Sequence, residues 1–216
     1  MNLQDPAQTT RLLKKWKIPT PALFHAKNAR EAVTYAKTLR FPVVLKVASP
    51  DIIHKTDAEG VLLDLKNEQE VKDGFEQVTK GARRHHPRAK ITGAIVQEQV
   101  KGTNFREVVI GAIQDPQFGP VLMFGLGGIF VEVLKDVSFR LIPIEREDAQ
   151  AMIAEIKGNA LLTGFRGQKP VNLRVLEDLL LTVSKMVEKS NIKQLDLNPV
   201  LINDKRAICV DARVLV

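Results

Sequence analysis

Phe41-Pro42-Val43-Val44-Leu45-Lys46-Val47-Ala48-Ser49-Pro50-Asp51-Ile52-Ile53-His54 is an apolar run that carries one lysine, breaks at a Ser-Pro-Asp turn and then presents a histidine. Valine and leucine in an unbroken row predict a buried strand over 43–47, which would hold Lys46 on a rigid element. The proline that follows throws His54, eight positions beyond the lysine, into a loop. A lysine serves as a point charge for nucleotide phosphate, and an imidazole can take up a phosphoryl group and pass it on. Lys46 and His54 in one pocket therefore suggest phosphoryl transfer through the protein itself. The plainer alternatives are a solvated strand-end lysine and a surface histidine, so the reading needs convergence with other segments.

Working outward, proline and asparagine punctuate the first half. A short helix over 9–16 is expected to end at Ile18-Pro19-Thr20-Pro21, with a strand over 22–24 after it. Asn28 caps a helix running to Leu39, and a strand over 60–65, a long helix over 68–85 and a strand over 91–99 follow the histidine loop. This alternation suggests a mixed sheet. The second half carries more strands, over 106–112, 121–124 and 138–144, then helices over 146–156 and 173–190. It closes with strands over 194–202 and 206–215 around the turn Asn203-Asp204-Lys205. The expected class is α+β in two lobes, 1–95 and 96–216, with mixed or antiparallel sheets flanked by helices.

Three further constellations carry chemistry. In Asp196-Leu197-Asn198 the alternation puts the two polar side chains on one face while Leu195 and Leu197 point to the core. The hairpin at Asp204 would bring Asn198 near Asp211. Such a set of hard oxygen donors suits Mg²⁺, with phosphate and water completing its shell; polar residues facing solvent on an edge hairpin are the alternative. Gly125, Gly127 and Gly128 sit in Phe124-Gly125-Leu126-Gly127-Gly128-Ile129-Phe130-Val131-Glu132, where close backbone approach could aim amides at phosphate oxygens. The spacing fits neither the dinucleotide fingerprint nor a Walker loop, and for this segment taken alone a tight turn without ligand is the plainer reading. Finally, Ile95-Val96-Gln97-Glu98-Gln99-Val100 could present backbone groups to an adenine edge, with Glu98 near the amino group or ribose.

Composition bounds the rest. The 216 residues carry a net charge of +7, with 44% hydrophobic, 26% charged and 5% aromatic residues. That describes an ordinary globular protein suited to anionic partners, and the scarcity of aromatic stacking platforms argues against nucleic acid. The basic cluster Arg83, Arg84, His85, His86 and Arg88 ends a helix, where cations complement the helix dipole. A single cysteine, Cys209 in Ala207-Ile208-Cys209-Val210, excludes an internal disulfide and reads as a small buried hydrophobe in a reducing compartment. No apolar stretch is long enough to span a membrane and no secretory signal is evident, so the expectation is a cytoplasmic protein without membrane contact.

In order along the chain, Pro42-Val43-Val44-Leu45-Lys46, His54-Lys55-Thr56-Asp57, Asp115-Pro116-Gln117-Phe118-Gly119-Pro120, the block from Gly125 to Glu132 and Asp196-Leu197-Asn198-Pro199 resemble one family. The chain is similar throughout to the beta subunits of ADP-forming acetyl-CoA (acyl-CoA) synthetases, relatives of succinyl-CoA synthetase with an ATP-grasp fold. The resemblance implies an acid–thiol ligase that works only with an alpha subunit, in an α2β2 heterotetramer. The alpha subunit would convert acyl-CoA and phosphate to acyl phosphate and CoA, and then carry the phosphoryl group on its own histidine. His54 would receive that group and hand it to Mg²⁺-bound ADP, giving ATP, in a reversible reaction.

By position, Lys46 contacts nucleotide phosphates and Gln97, Glu98 and Val100 form the hinge that grips adenine. Glu107 lines the pocket, and Asn198 and Asp211 hold Mg²⁺ with Asp196 nearby. Glu59 departs from the family pattern, which often has glycine there. Two other readings remain open: an ATP-binding regulatory module of the kind attached to protein acetyltransferases, and a ligase that activates a carboxylate directly.

Overall fold

The computed structural model describes residues 5–216 except 53, 54, 56 and 129–134. It divides the chain into two compact units, Pro21–Lys101 and Met1–Thr20 with Gly102–Val216.

The Pro21–Lys101 unit is a four-stranded sheet in the order β1-β4-β2-β3, built from β1 (Leu23–Ala26), β2 (Val43–Ala48), β3 (Val61–Leu65) and β4 (Gly93–Glu98). Every pair in it is antiparallel, which replaces the expected mixed sheet. Helices α2 (Ala29–Leu39) and α3 (Glu68–His85) pack on this sheet and on each other. Asn28 and Asn67 cap them, each side chain accepting the amide three residues on, from Glu31 and Glu70. Val43, Leu45, Ala94 and Val96 meet Ala32, Ala36, Val71, Phe75 and Val78 in one core. Period-two alternation then leaves Val44 and Lys46 of β2, with Ile95 and Gln97 of β4, on the opposite face.

The second unit is a larger antiparallel sheet in the order β10-β8-β5-β6-β7, with β9 also on β8. Its strands are β5 (Arg106–Asp115), β6 (Gly119–Leu126), β7 (Val137–Leu141), β8 (Gln194–Ile202), β9 (Ala207–Cys209) and β10 (Ala212–Leu215). Its helices are α1 (Pro6–Lys15), α4 (Arg146–Glu155), α5 (Ala160–Thr163) and α6 (Leu173–Lys189), with a 3₁₀ turn at Lys157–Asn159 before α5. The last expected strand, 206–215, is two strands, because pairing lapses at Val210-Asp211.

Val108, Ile110, Ala112, Leu122, Phe124, Leu126, Leu195 and Leu197 share a core with Met152, Leu176, Leu180 and Met186 of α4 and α6. The opposite face carries Ile113, Phe139 and Leu141, all exposed.

The structure divides the chain elsewhere than at the expected 95/96. A cut there would sever β4, which pairs with both β1 and β2. The opening helix also belongs with the C-terminal residues: Leu13 and Ile18 are buried in the second core, and Pro19 O accepts from Cys209 N at 2.9 Å.

Candidate functional site

Lys46 lies inside β2, opposite Val61 of β3 and Ile95 of β4, and is only 8% exposed. Gln97 is a diagonal neighbour on β4, also buried, and paired with Val44. Two long polar side chains thus share the helix-free face of a regular ladder, a placement that fixes their directions through the backbone.

Glu98 sits differently. It is the exposed last residue of β4, its amide donates to Ala22 O at 2.9 Å, and strand alternation sends its side chain to the face opposite Gln97. Val100 follows in the connecting segment, next to the boundary between the units. Gln99, between them, accepts from Asp64 N at 2.7 Å and so holds this segment to the end of β3.

The loop after β2 is closed at its base by Val47 N to Gly60 O (2.7 Å) and Gly60 N to Lys55 O (2.8 Å). Asp51 of the expected turn accepts from Lys90 N at 2.6 Å, which pins the outgoing chain. His54 lies outside the described residues. Glu59 has φ 50°, in the region that disfavours a side chain. Its carboxylate is within 3.4 Å of Arg84 and 3.7 Å of His85, at the C-terminal turn of α3.

In the second unit Asn198, Asp211 and Gly128 lie at irregularities of the sheet. Val108 pairs with Val200, but Ile110 pairs with Leu197, so Asn198 and Pro199 together oppose the single residue Val109. This is a β-bulge, a device that bends a strand and re-aims its side chains. On the other side of β8, Asn198 N donates to Asp211 O at 3.0 Å, at the point where β9 gives way to β10. The expected closeness of Asn198 and Asp211 is therefore present. The Cys209 thiol donates to the same carbonyl at 3.2 Å, and its side chain is buried in the core. Asp196 is two residues from Asn198 along β8, half-buried, opposite Gly111 on β5 and Arg213 on β10.

Val109 has the Asn198-Pro199 bulge on one side and Gly125 on the other. At roughly 4.8 Å per strand, the glycine segment begins about 10 Å from the Asn198–Asp211 pair, in the same transverse row. Glu107 is also close to it. Gly127 N donates to Glu107 O at 2.7 Å, and a Cβ at Gly127 would lie 2.9 Å from that of Glu107, so no side chain fits. Gly125 is a paired strand residue and the Gly127 amide is engaged, which leaves Gly128, φ 64°, as the glycine of the loop proper. Residues 129–134 of the block lie outside the described residues.

Among the described residues no group of three His, Cys, Asp or Glu side chains is gathered to hold a metal. Asn198 and Asp211 nevertheless fit Mg²⁺, which is commonly held by one or two protein oxygens with the remaining positions left to phosphate and water.

Sequence reasoning missed Asp136. It is buried, and its carboxylate accepts from Lys157 N at 2.6 Å and Gly158 N at 2.7 Å. No local pattern marks it, since its partners are 21 and 22 residues away.

Residues 2–216 match the family described as ATP-grasp domain. The chain is 46% identical over 209 residues to the beta subunit of ADP-forming acetate–CoA ligase I of Pyrococcus furiosus, covering 96% of this chain and 89% of that protein. It superposes with a TM-score of 0.92 on the dinucleotide-forming acetyl-coenzyme A synthetase 1 of Ca. Korarchaeum cryptofilum in complex with coenzyme A, Ca-AMPCP and HgCl⁺. That match is 40% identical and covers 99% of this chain and 93% of that one. A selenomethionine form of the same protein, with coenzyme A, Mg-AMPPCP and its phosphohistidine segment pointing towards the nucleotide binding site, matches with a TM-score of 0.81. It is 37% identical and covers 99% and 92% of the two chains.

Proposed function

The chain belongs to the ATP-grasp family, and from that premise we propose that it is the nucleotide-binding beta subunit of an ADP-forming acetyl-CoA or acyl-CoA synthetase. The observation that carries the proposal is the match to a beta subunit at 46% identity along nearly the whole of both chains. The placement of Gly128 beside Glu107 and of Asn198 beside Asp211 supports it.

Within this reading, each residue has a task that its placement suits. Lys46, on a buried strand, holds a fixed positive charge for the phosphates, and Gln97 beside it, with Val100 at the hinge, contacts the adenine. The Glu98 side chain contributes at the rim of this site. Glu107 and Gly128 line the phosphate end. Asn198 and Asp211, with Asp196 nearby, would hold Mg²⁺, which supplies charge neutralisation on the phosphoryl oxygens.

His54 accepts the phosphoryl group on a ring nitrogen and gives it to ADP: the N–P bond breaks as a bond forms to the terminal phosphate oxygen of ADP, and ATP results. Such a transfer depends on positioning and electrostatics, which rigid strands provide. The acyl and CoA chemistry belongs to an alpha subunit, and we propose an α2β2 assembly in the cytoplasm. No helix among the described residues is long and apolar enough to cross a membrane.

The test is phosphorylation of the chain by γ-labelled ATP with Mg²⁺. An acid-labile label on the wild type that is absent from His54→Ala is expected. A label that survives in His54→Ala overturns the relay, and a wild type that binds ATP without being labelled overturns it in favour of a nucleotide-sensing module.

A further inference from the structure

We infer that Asp136 is a positioning residue of the nucleotide site, acting by fixing the base of the glycine loop. The inference rests on the reading of Gly125 to Gly128 as the phosphate-end segment. The chain leaves β6 at Leu126, runs through Gly127 and Gly128, and returns through Asp136 into β7, where Val137 pairs with Gly125. Leu126 and Asp136 are thus the two feet of the loop.

One foot is tied by the Gly127 N to Glu107 O bond, 2.7 Å long. The other is tied by the Asp136 carboxylate, 6% exposed, which accepts two successive amides, one on each oxygen, at the turn that opens the 3₁₀ segment. Bonds from N–H to an ionised oxygen are shorter and about twice as strong as neutral ones.

Gly158 completes the junction. A Cβ there would overlap the Leu126 Cδ1 and come within 3.2 Å of an Asp136 oxygen. The absence of a side chain lets the turn close on both feet at once. A buried carboxylate facing two amide donors has no equivalent in asparagine, whose NH₂ would meet one donor with another. The junction of Leu126, Asp136 and Gly158 is therefore fixed by one carboxylate and one glycine, neither of which needs to touch the nucleotide.

The experiment measures binding of Mg²⁺-ADP and of adenosine to the full chain carrying Asp136→Asn, Asp136→Ser or Gly128→Val, each first shown to be folded by its thermal transition. A positioning role predicts that Asp136→Asn weakens ADP by about tenfold, the scale of one charge-assisted hydrogen bond, and leaves adenosine unchanged. Asp136→Ser, whose hydroxyl can accept one of the two amides, carries the same expectation should the asparagine variant not fold. Equal losses for ADP and adenosine, or unchanged ADP binding in a folded variant, overturn the inference. Gly128→Val separates the two layers: if it leaves ADP binding intact, the phosphate-loop reading itself fails. If it weakens ADP while the folded Asp136 variants do not, only the role of Asp136 fails.

Discussion

The two units solve the same problem of presenting polar groups in opposite ways. In Pro21–Lys101 the candidate residues Lys46 and Gln97 occupy paired ladder positions, buried at 8% and 2% exposure, and their directions follow from the unshifted pairing of β2 with β4, the register shift of that sheet lying between β2 and β3. In the other unit Asn198, Asp211 and Gly128 sit where pairing fails, at the Asn198-Pro199 bulge, at the Val210-Asp211 gap and in the loop after Leu126, while Glu107, Gly125 and Asp196 keep paired positions. A single cation needs only a stiff support, which a central strand gives. Residues that must approach one another outside the fixed spacings of a flat ladder need a bend or a gap, which the bulge supplies at Asn198 and the lapse in pairing supplies at Asp211.

The largest test of this contrast is a cavity under the irregular sheet. Phe124 is fully buried between β5, β7 and the helices, and Phe124→Ala should cost about 3–5 kcal/mol. Hydrogen exchange should accelerate in β5, β6 and β8 while the amides of β2 and β4 keep their protection. Acceleration in both sheets would break the comparison, because the units would then share one cooperative transition.

A middle-sized effect comes from the helix caps. Asn28 and Asn172 each accept the amide three residues on, of Glu31 and Val175, at the start of α2 and α6. Replacing either with alanine should cost about 1 kcal/mol, read as a lowered denaturation midpoint. The loss from Asn28→Ala should register in the exchange of the first unit and that from Asn172→Ala in the second. Crossed effects would count against the division.

The smallest effect is electrostatic. Arg140 on β7 is hydrogen-bonded to Glu155 of α4, which holds the Glu155 carboxyl below the ordinary carboxylate value. A carboxyl lowered in the folded state adds stability above its unfolded pKa, and that increment disappears as pH falls through the lowered folded value. Glu155 is half exposed, so solvent screening keeps the contribution small. Thermal melts at descending acidic pH should show a slightly shallower decline for Glu155→Gln than for the wild type, and a steeper decline would contradict the assignment.

Much of the fold was legible because local rules sufficed. Asn28 and Asn67 announce their helices, Gln194–Ile202 reads as a strand that alternates on either side of the Asn198-Pro199 bulge, and Asn203 folds its side chain onto the amides of Lys205 and Arg206 in the expected turn. What escaped depends on distant partners. Sequence alternation does not reveal strand order, so the antiparallel arrangement β1-β4-β2-β3 had no local signal. The 3₁₀ turn and α5 are too short for periodicity to register. At the site, the proximity of Asn198 to Asp211 follows from counting around a hairpin, whereas the engaged amide of Gly127 depends on Glu107, and Asp136 on residues far along the chain. Glu98 was placed beside Gln97 by sequence adjacency, and strand alternation separates their side chains.

The path of the backbone through the two units orders events during synthesis. Residues 21–101 are contiguous, so their strands can find one another once that stretch has left the ribosome. The other unit must wait: α1 packs against β10, and the Pro19 carbonyl takes its partner from Cys209, so α1 is seated only when β9 and β10 have been made. The nascent chain therefore holds a finished lysine-bearing sheet before the surface that carries Asn198 and Asp211 exists.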